Sequence, residues 1–117
     1  MEKILYIEDH KDTAETVKMI LSKAGFKVDI SLSGKDGIKQ AKKNYDLILL
    51  DIMMPDMSGW DVFKTLKKTI KAKFVFLSVL PVSAERIEEF RKSGISDYIT
   101  KPFKTDNLIA RLKKALK

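Results

Sequence analysis

Five short apolar runs alternate with five segments of helical spacing, and that alternation leaves the chain few folds to choose from. The runs are KILYI (3–7), KVDIS (27–31), DLILL (46–50), KFVFLS (73–78) and DYIT (97–100). They are rich in Ile, Leu, Val and Phe and read as strands. The first, third and fourth are almost continuously apolar, as expected of parallel strands covered on both faces. The second and fifth are more polar and suit edge positions.

The segments between them carry apolar stripes at helical spacing. Ala14, Val17, Ile20, Leu21 and Ala24 mark the first, which Gly25 stops. Ile38 and Ala41 mark a weaker second, and Val62, Phe63, Leu66 and Ile70 a third. Ala84, Ile87 and Phe90 mark a fourth, ended by Gly94. Leu108, Leu112 and Leu116 mark a fifth, for which Thr105 is the expected cap. Strand-then-helix units with short connections predict an α/β fold: an open parallel sheet, helices on both faces, right-handed crossovers.

A length of 117 residues predicts one domain spanning 1–117, large enough to close a core without staples. The chain has no cysteine, which excludes disulfides, thiolate metal sites and thiol catalysis and is compatible with a reducing cytoplasm. The N-terminus enters KILYI at once and does not resemble a signal peptide. No apolar stretch approaches the ~20 residues of a membrane span, so no membrane partner is expected. The net charge of +7 raises nucleic acid or another polyanion as a partner. The positive charges are spread over several segments, with a cluster in RLKKALK, and read mainly as solvated helix faces.

In such a sheet, ligands bind beyond the carboxyl ends of the strands. Strand one leads into Glu8 and Asp9, strand three into Asp51, strand four ends in Ser78, and strand five in Thr100, Lys101 and Pro102. Three carboxylates, a hydroxyl and an ammonium thus converge on one edge. Clustered carboxylates repel one another and call for a cation. The donors are hard oxygens, which favours magnesium over zinc or copper. His10, the single histidine, reads as a surface residue. Magnesium prefers one or two carboxylates plus a phosphate oxygen, so a phosphoryl group is the missing ligand. Asp51 could accept it as an acyl phosphate. Lys101 would neutralise one phosphoryl oxygen and Ser78 would donate to another. No G-x-x-x-x-G-K-[ST] cradle is present, so ATP is not the expected ligand.

Together, ILYIEDH, LILLDIMMPDMSGWD, FVFLS and GISDYITKPF make the sequence resemble a response-regulator receiver domain of two-component signalling, over essentially its whole length. The resemblance implies a flavodoxin-like (βα)5 fold with strand order 2-1-3-4-5. It implies that Asp51 is phosphorylated by a histidine kinase or phosphotransfer protein. Magnesium would be held by Asp9, Asp51 and the main-chain carbonyl of Met53, with Glu8 acting through water. Ser78 and Tyr98 would be the switch pair, Tyr98 swinging inward as Ser78 moves, and Lys101 the phosphate counter-charge before a cis proline. The switching surface would be the fourth helix, fifth strand and fifth helix.

The sequence also departs from the family pattern. Val79 stands where a smaller residue is usual, and Met53 and Leu80 are apolar at the positions that tune dephosphorylation. Asp97 and Arg111 match part of a charge pattern by which relatives dimerise, but Asn107 replaces an acid, so dimerisation is expected to be weak or absent. Lys113, Lys114 and Lys117 suggest an acidic downstream protein partner. No output domain is expected to follow. Two other readings remain open: a basic adaptor with a vestigial site, and a magnesium-dependent phosphatase. The phosphatase needs a general acid, and Asp56, the one candidate, reads as a turn residue.

Overall fold

The computed structural model covers residues 1–117, and all five strands and five helices are present in the expected alternation. In chain order they are β1 (Lys3–Ile7), α1 (Lys11–Lys23), β2 (Lys27–Ser31), α2 (Gly34–Gln40), β3 (Leu47–Leu50), α3 (Gly59–Leu66), β4 (Lys73–Ser78), α4 (Ala84–Ser93), β5 (Ile95–Thr100) and α5 (Thr105–Ala115). The strands are parallel in the order β2-β1-β3-β4-β5, so the two polar strands lie at the edges.

Successive strand residues point to opposite faces, and each face is apolar. Ile4, Tyr6, Leu47, Leu49, Val75 and Leu77 pack toward α1 and α5 through Val17, Leu21, Leu108 and Leu112. Leu5, Ile7, Ile48, Leu50, Phe74 and Phe76 pack toward α3 and α4 through Val62, Phe63, Leu66 and Phe90. Near-continuous apolar runs in the three central strands follow directly from that double cover.

The weak stripe of the second helix has a physical cause. α2 is buried at two glycines: Gly34 against Met57 and Val62, and Gly37 against the sheet at Ile7. A Cβ on Gly37 would stand 2.4 Å from Ile7 Cδ1. An apolar side chain there would push the helix off the sheet, so its contact is made by the missing side chain.

Several boundaries differ from the sequence reading. β3 begins at Leu47 and β5 begins at Ile95, two residues before DYIT. Exposed, polar Ser96 hid that extension, which also contains a register shift opposite Phe74 and Val75. α3 ends at Leu66, leaving Ile70 beyond it, although Ile70 N–H still reaches the Leu66 carbonyl at 2.8 Å. Thr105 is not a cap: the backbone is extended at Lys104 and helical from Thr105, so the hydroxyl lies one residue inside the helix. Elsewhere Ser33, Ser58 and Ser83 cap α2, α3 and α4 through their hydroxyls.

Gly59 holds the β3–α3 loop closed. Its N–H donates to the Ile52 carbonyl at 2.9 Å. A Cβ there would lie 2.2 Å from the Asp51 carbonyl oxygen, a backbone atom that cannot swing aside. Gly59→Ala is expected to destabilise the fold by about 2–3 kcal/mol, as overpacking against fixed atoms does. Denaturant unfolding measures it, and an unchanged midpoint would show that the loop yields freely.

Candidate functional site

Register assembles the site. Ile7 pairs with Leu50, so Glu8 and Asp51 come next to each other one residue on. Ser78 pairs with Thr100, which brings Lys101 up beside the end of β4. Main-chain bonds continue past the strands: Asp51 N–H to the Ile7 carbonyl at 3.0 Å, Glu8 N–H to the Ser31 carbonyl at 2.9 Å, and Lys101 N–H to the Ser78 carbonyl at 2.8 Å. The carboxylate oxygens of Glu8, Asp9 and Asp51 lie within 4.8 Å of one another. The edge therefore gathers the three acids the sequence pointed to.

Glu8 is the most tightly held of them. It is 2% exposed. It accepts from Tyr6 Oη at 3.1 Å, His10 N–H at 3.1 Å and Lys101 Nζ at 2.5 Å. Burial works against its charge, but the Lys101 ammonium and the His10 amide outweigh it and hold Glu8 below its ordinary value. Lys101 thus faces Glu8 in this state, and the Lys101–Pro102 peptide is cis. His10 is exposed and caps α1, its Nδ1 accepting from Thr13 N–H at 3.3 Å.

Asp51 is buried and accepts from Met53 N–H at 3.3 Å. Burial first, and then the Glu8 charge, raise it to about 6. Desolvation and the same neighbour raise Asp9. Three crowded oxygens whose charges are mutually disfavoured suit a hard divalent cation, and magnesium fits such an all-oxygen set. Removing Asp9 relieves repulsion. Asp9→Ala is expected to leave thermal stability unchanged or slightly raised in metal-free buffer while weakening magnesium affinity at least ~10-fold. A magnesium titration read by tryptophan fluorescence and thermal shift measures both, and a variant that unfolds more readily than the parent would contradict this.

Ser78 is fully buried, its Oγ accepting from Leu80 N–H at 3.3 Å. The Tyr98 hydroxyl donates to the Leu80 carbonyl, so both polar groups of one peptide segment are clamped by the two side chains. The sequence reading has Tyr98 swing inward once Asp51 is phosphorylated; in this structure the ring already lies inside. It is 4% exposed, stacked on Phe90 and set edge-on to Phe76.

Two features go further than the sequence reading. Asp56 accepts from Gly34 N–H at 3.0 Å and Lys35 N–H at 2.9 Å, pinning the β3–α3 loop to the start of α2. Those amides hold its carboxyl below the usual range, so it is ionised and unsuited to act as a general acid. Its forewarning in the sequence was the reading of Asp56, next to Pro55, as a turn residue. The second is the apolar mouth of the site: Met53 is 55% exposed, Val79 61% and Leu80 36%.

A doubly wound parallel sheet whose edge carries this acid cluster, buried serine and lysine is a receiver domain of two-component response regulators. The chain belongs to that family, the response regulator receiver domain matching residues 4–113. It is 39% identical over 116 residues to the transcriptional regulatory protein HprR of Escherichia coli (strain K12), covering 98% of this chain and 52% of that protein. It is 40% identical over 112 residues to the cell cycle transcriptional regulator CtrA of Caulobacter vibrioides (strain NA1000 / CB15N), covering 94% of this chain and 48% of that one. The chain thus spans about half the length of these relatives. Among solved structures, the Francisella response regulator 1452 receiver domain superposes with a TM-score of 0.89 at 35% identity, covering 99% of this chain and 97% of that one. The strand order and helix layers match the flavodoxin-like receiver fold expected from the sequence.

Proposed function

We propose that the chain takes a phosphoryl group from a phosphohistidine of a partner kinase or phosphotransfer protein onto Asp51. The observation that carries this reading is the position of Asp51: buried at the end of β3, flanked by Glu8 and Asp9, with Lys101 across the edge. An Asp51 carboxylate oxygen attacks phosphorus. The P–N bond breaks, and its electron pair stays on the imidazole nitrogen, which takes up a proton. Magnesium held by Asp9, Asp51 and the Met53 main-chain carbonyl, with Glu8 reached through water, would offset the charge of the carboxylates and of the incoming phosphoryl oxygens.

Lys101 then leaves Glu8 for a phosphoryl oxygen, and Ser78 releases Leu80 N–H to donate to another. Because Ser78 and Tyr98 hold the same Leu80 segment, loss of one contact loosens the other. That couples Asp51 to α4, β5 and α5, the surface through which the signal would leave. Arg111 bonds Asp97 within the chain at 2.6 and 2.8 Å and the Tyr98 carbonyl at 2.9 Å. A dimer built on this charge pair would have to break it first, which favours a monomer. No helix is long and apolar enough to cross a membrane, and we assign the domain to the cytoplasm.

Incubation with acetyl phosphate and magnesium, followed by mapping of the adduct by mass spectrometry, tests the reading. A single acyl phosphate on Asp51 is expected. Labelling at another residue, or none with magnesium present, would remove the phosphoacceptor role and leave the adaptor reading.

A further inference from the structure

The +7 charge reads as scattered along the sequence, but the fold sorts it by end. In a parallel sheet with right-handed crossovers, every helix runs back against its strand. The helix C-termini therefore share one end of the molecule with the strand starts, and the Asp51 site lies at the other. Each helix carries an acid in its first turn and a lysine or arginine in its last. Complementing the helix dipole accounts for that much.

It does not account for the strands and loops. β1, β2 and β4 each begin with lysine: Lys3, Lys27 and Lys73. Register sets Lys3 level with Lys27, and Lys73 level with Ile4 across β3, so the three lie in one row along the sheet edge. Between Asp61 and Glu85 the sequence has five lysines and no acid, and Lys67, Lys68, Lys71 and Lys73 are exposed around the start of β4. Contacts tie these pieces to one end: Lys3 Nζ reaches the Lys43 carbonyl at 3.2 Å, and Lys67 Nζ the Ser93 carbonyl at 3.4 Å. Of the acids there, Asp46 is engaged by the Lys3 amide and Asp97 by Arg111, while Glu2, just before Lys3, is exposed.

We propose that this end docks the domain on an anionic lipid bilayer surface. The positive field is two-dimensional, a strand row flanked on both sides by helix ends, across a body of 32 × 29 × 28 Å. No helix or hairpin projects from it to enter a nucleic-acid groove. Lysines dominate it, and they bind as point charges without the planar fork suited to reading base edges. Such a field matches a plane of headgroup charge better than a rod of phosphates. Exposed Met1, adjoining β1, adds an apolar side chain at the same end. The sequence reading expected no membrane partner because no segment spans a bilayer, but surface docking needs no span. Docked this way, the Asp51 site faces away from the lipid. The inference is independent of the phosphoryl-transfer reading.

The test is sedimentation with vesicles of equal parts phosphatidylglycerol and phosphatidylcholine, and of phosphatidylcholine alone, over a range of salt. The full chain is compared with two variants of equal charge, both checked for folding by circular dichroism. One is K68E/K71E/K73E at the basic end; the other is K11E/K35E/K104E at the helix starts of the opposite end. Each lysine near an anionic surface is worth roughly fivefold in partitioning, so the first variant is expected to lose on the order of a hundredfold. The second is expected to stay close to the parent, and binding should fall steeply with salt. Equal loss in both variants would reduce the effect to net charge and overturn the proposal. So would binding that does not depend on phosphatidylglycerol, or release from vesicles by equimolar duplex DNA.

Discussion

Asp51→Asn is expected to reduce acetyl phosphate labelling to background and, in metal-free buffer at pH 8, to stabilise the fold by about 2 kcal/mol. The two effects share one cause. Asp51 sits buried beside Glu8, and its carboxyl is raised from an ordinary 3.8 to about 6. Above pH 6 the parent carries an ionised group that folding disfavours. As pH falls from 6 toward 4, the folded state takes up a proton before the unfolded chain does, and the parent recovers that stability. The advantage of the variant should therefore be largest above pH 6 and shrink below it. Magnesium should raise the midpoint of the parent and leave the variant nearly unmoved. Urea titrations at several pH values, with and without magnesium, measure all of this. An Asn variant that labels as well as the parent, or is less stable at pH 8, would contradict the geometry.

Lys101→Met is expected to destabilise the fold by about 3 kcal/mol at neutral pH, because it leaves Glu8 buried without its counter-charge. Glu8 is 3% exposed at its side chain and Lys101 14%, so water screens the pair little. The sign of the pH dependence distinguishes this from loss of packing. In the parent, Glu8 is held below its ordinary 4.5, so the stability it contributes is present above that value and is lost as pH falls through the folded value. Without Lys101, burial and the neighbouring acids push Glu8 the other way. The variant should then lose stability as pH rises above the ordinary 4.5 of Glu8. Glu8→Gln in the same chain should recover most of the loss. A pH-independent deficit that Glu8→Gln does not repair would show that the methylene stem of Lys101, not its charge, matters.

The fold was legible because two periods alternate without ambiguity. LILL and FVFL are apolar at every position, as only a strand covered on both faces needs to be, and Gly25 and Gly94 close helices with φ of 99° and 115°. The site residues were legible because strand ends in a parallel sheet are forced to one edge. Where the reading fell short, the signal was not in residue type. α2 looked weak because its contact is made by Gly37 against Ile7, and a missing side chain leaves no apolar mark. Thr105 has the chemistry of a cap but stands one residue past the turn from extended to helical backbone.

The sequence by itself determined which residues carry charge and hydroxyls, and the order in which strands deliver them. That followed from local periodicity and chain connectivity, which need no knowledge of side-chain position. Tertiary structure alone decided who faces whom. It gave Lys101 to Glu8, closed Arg111 onto Asp97, placed the Tyr98 ring inside on Phe90, and turned Asp56 from a possible acid into an anchor for α2. It also turned a scattered +7 into two ends of opposite character. Pairing energies fall off over a few ångströms and depend on burial, and neither distance nor burial is a property of a residue's place along the chain.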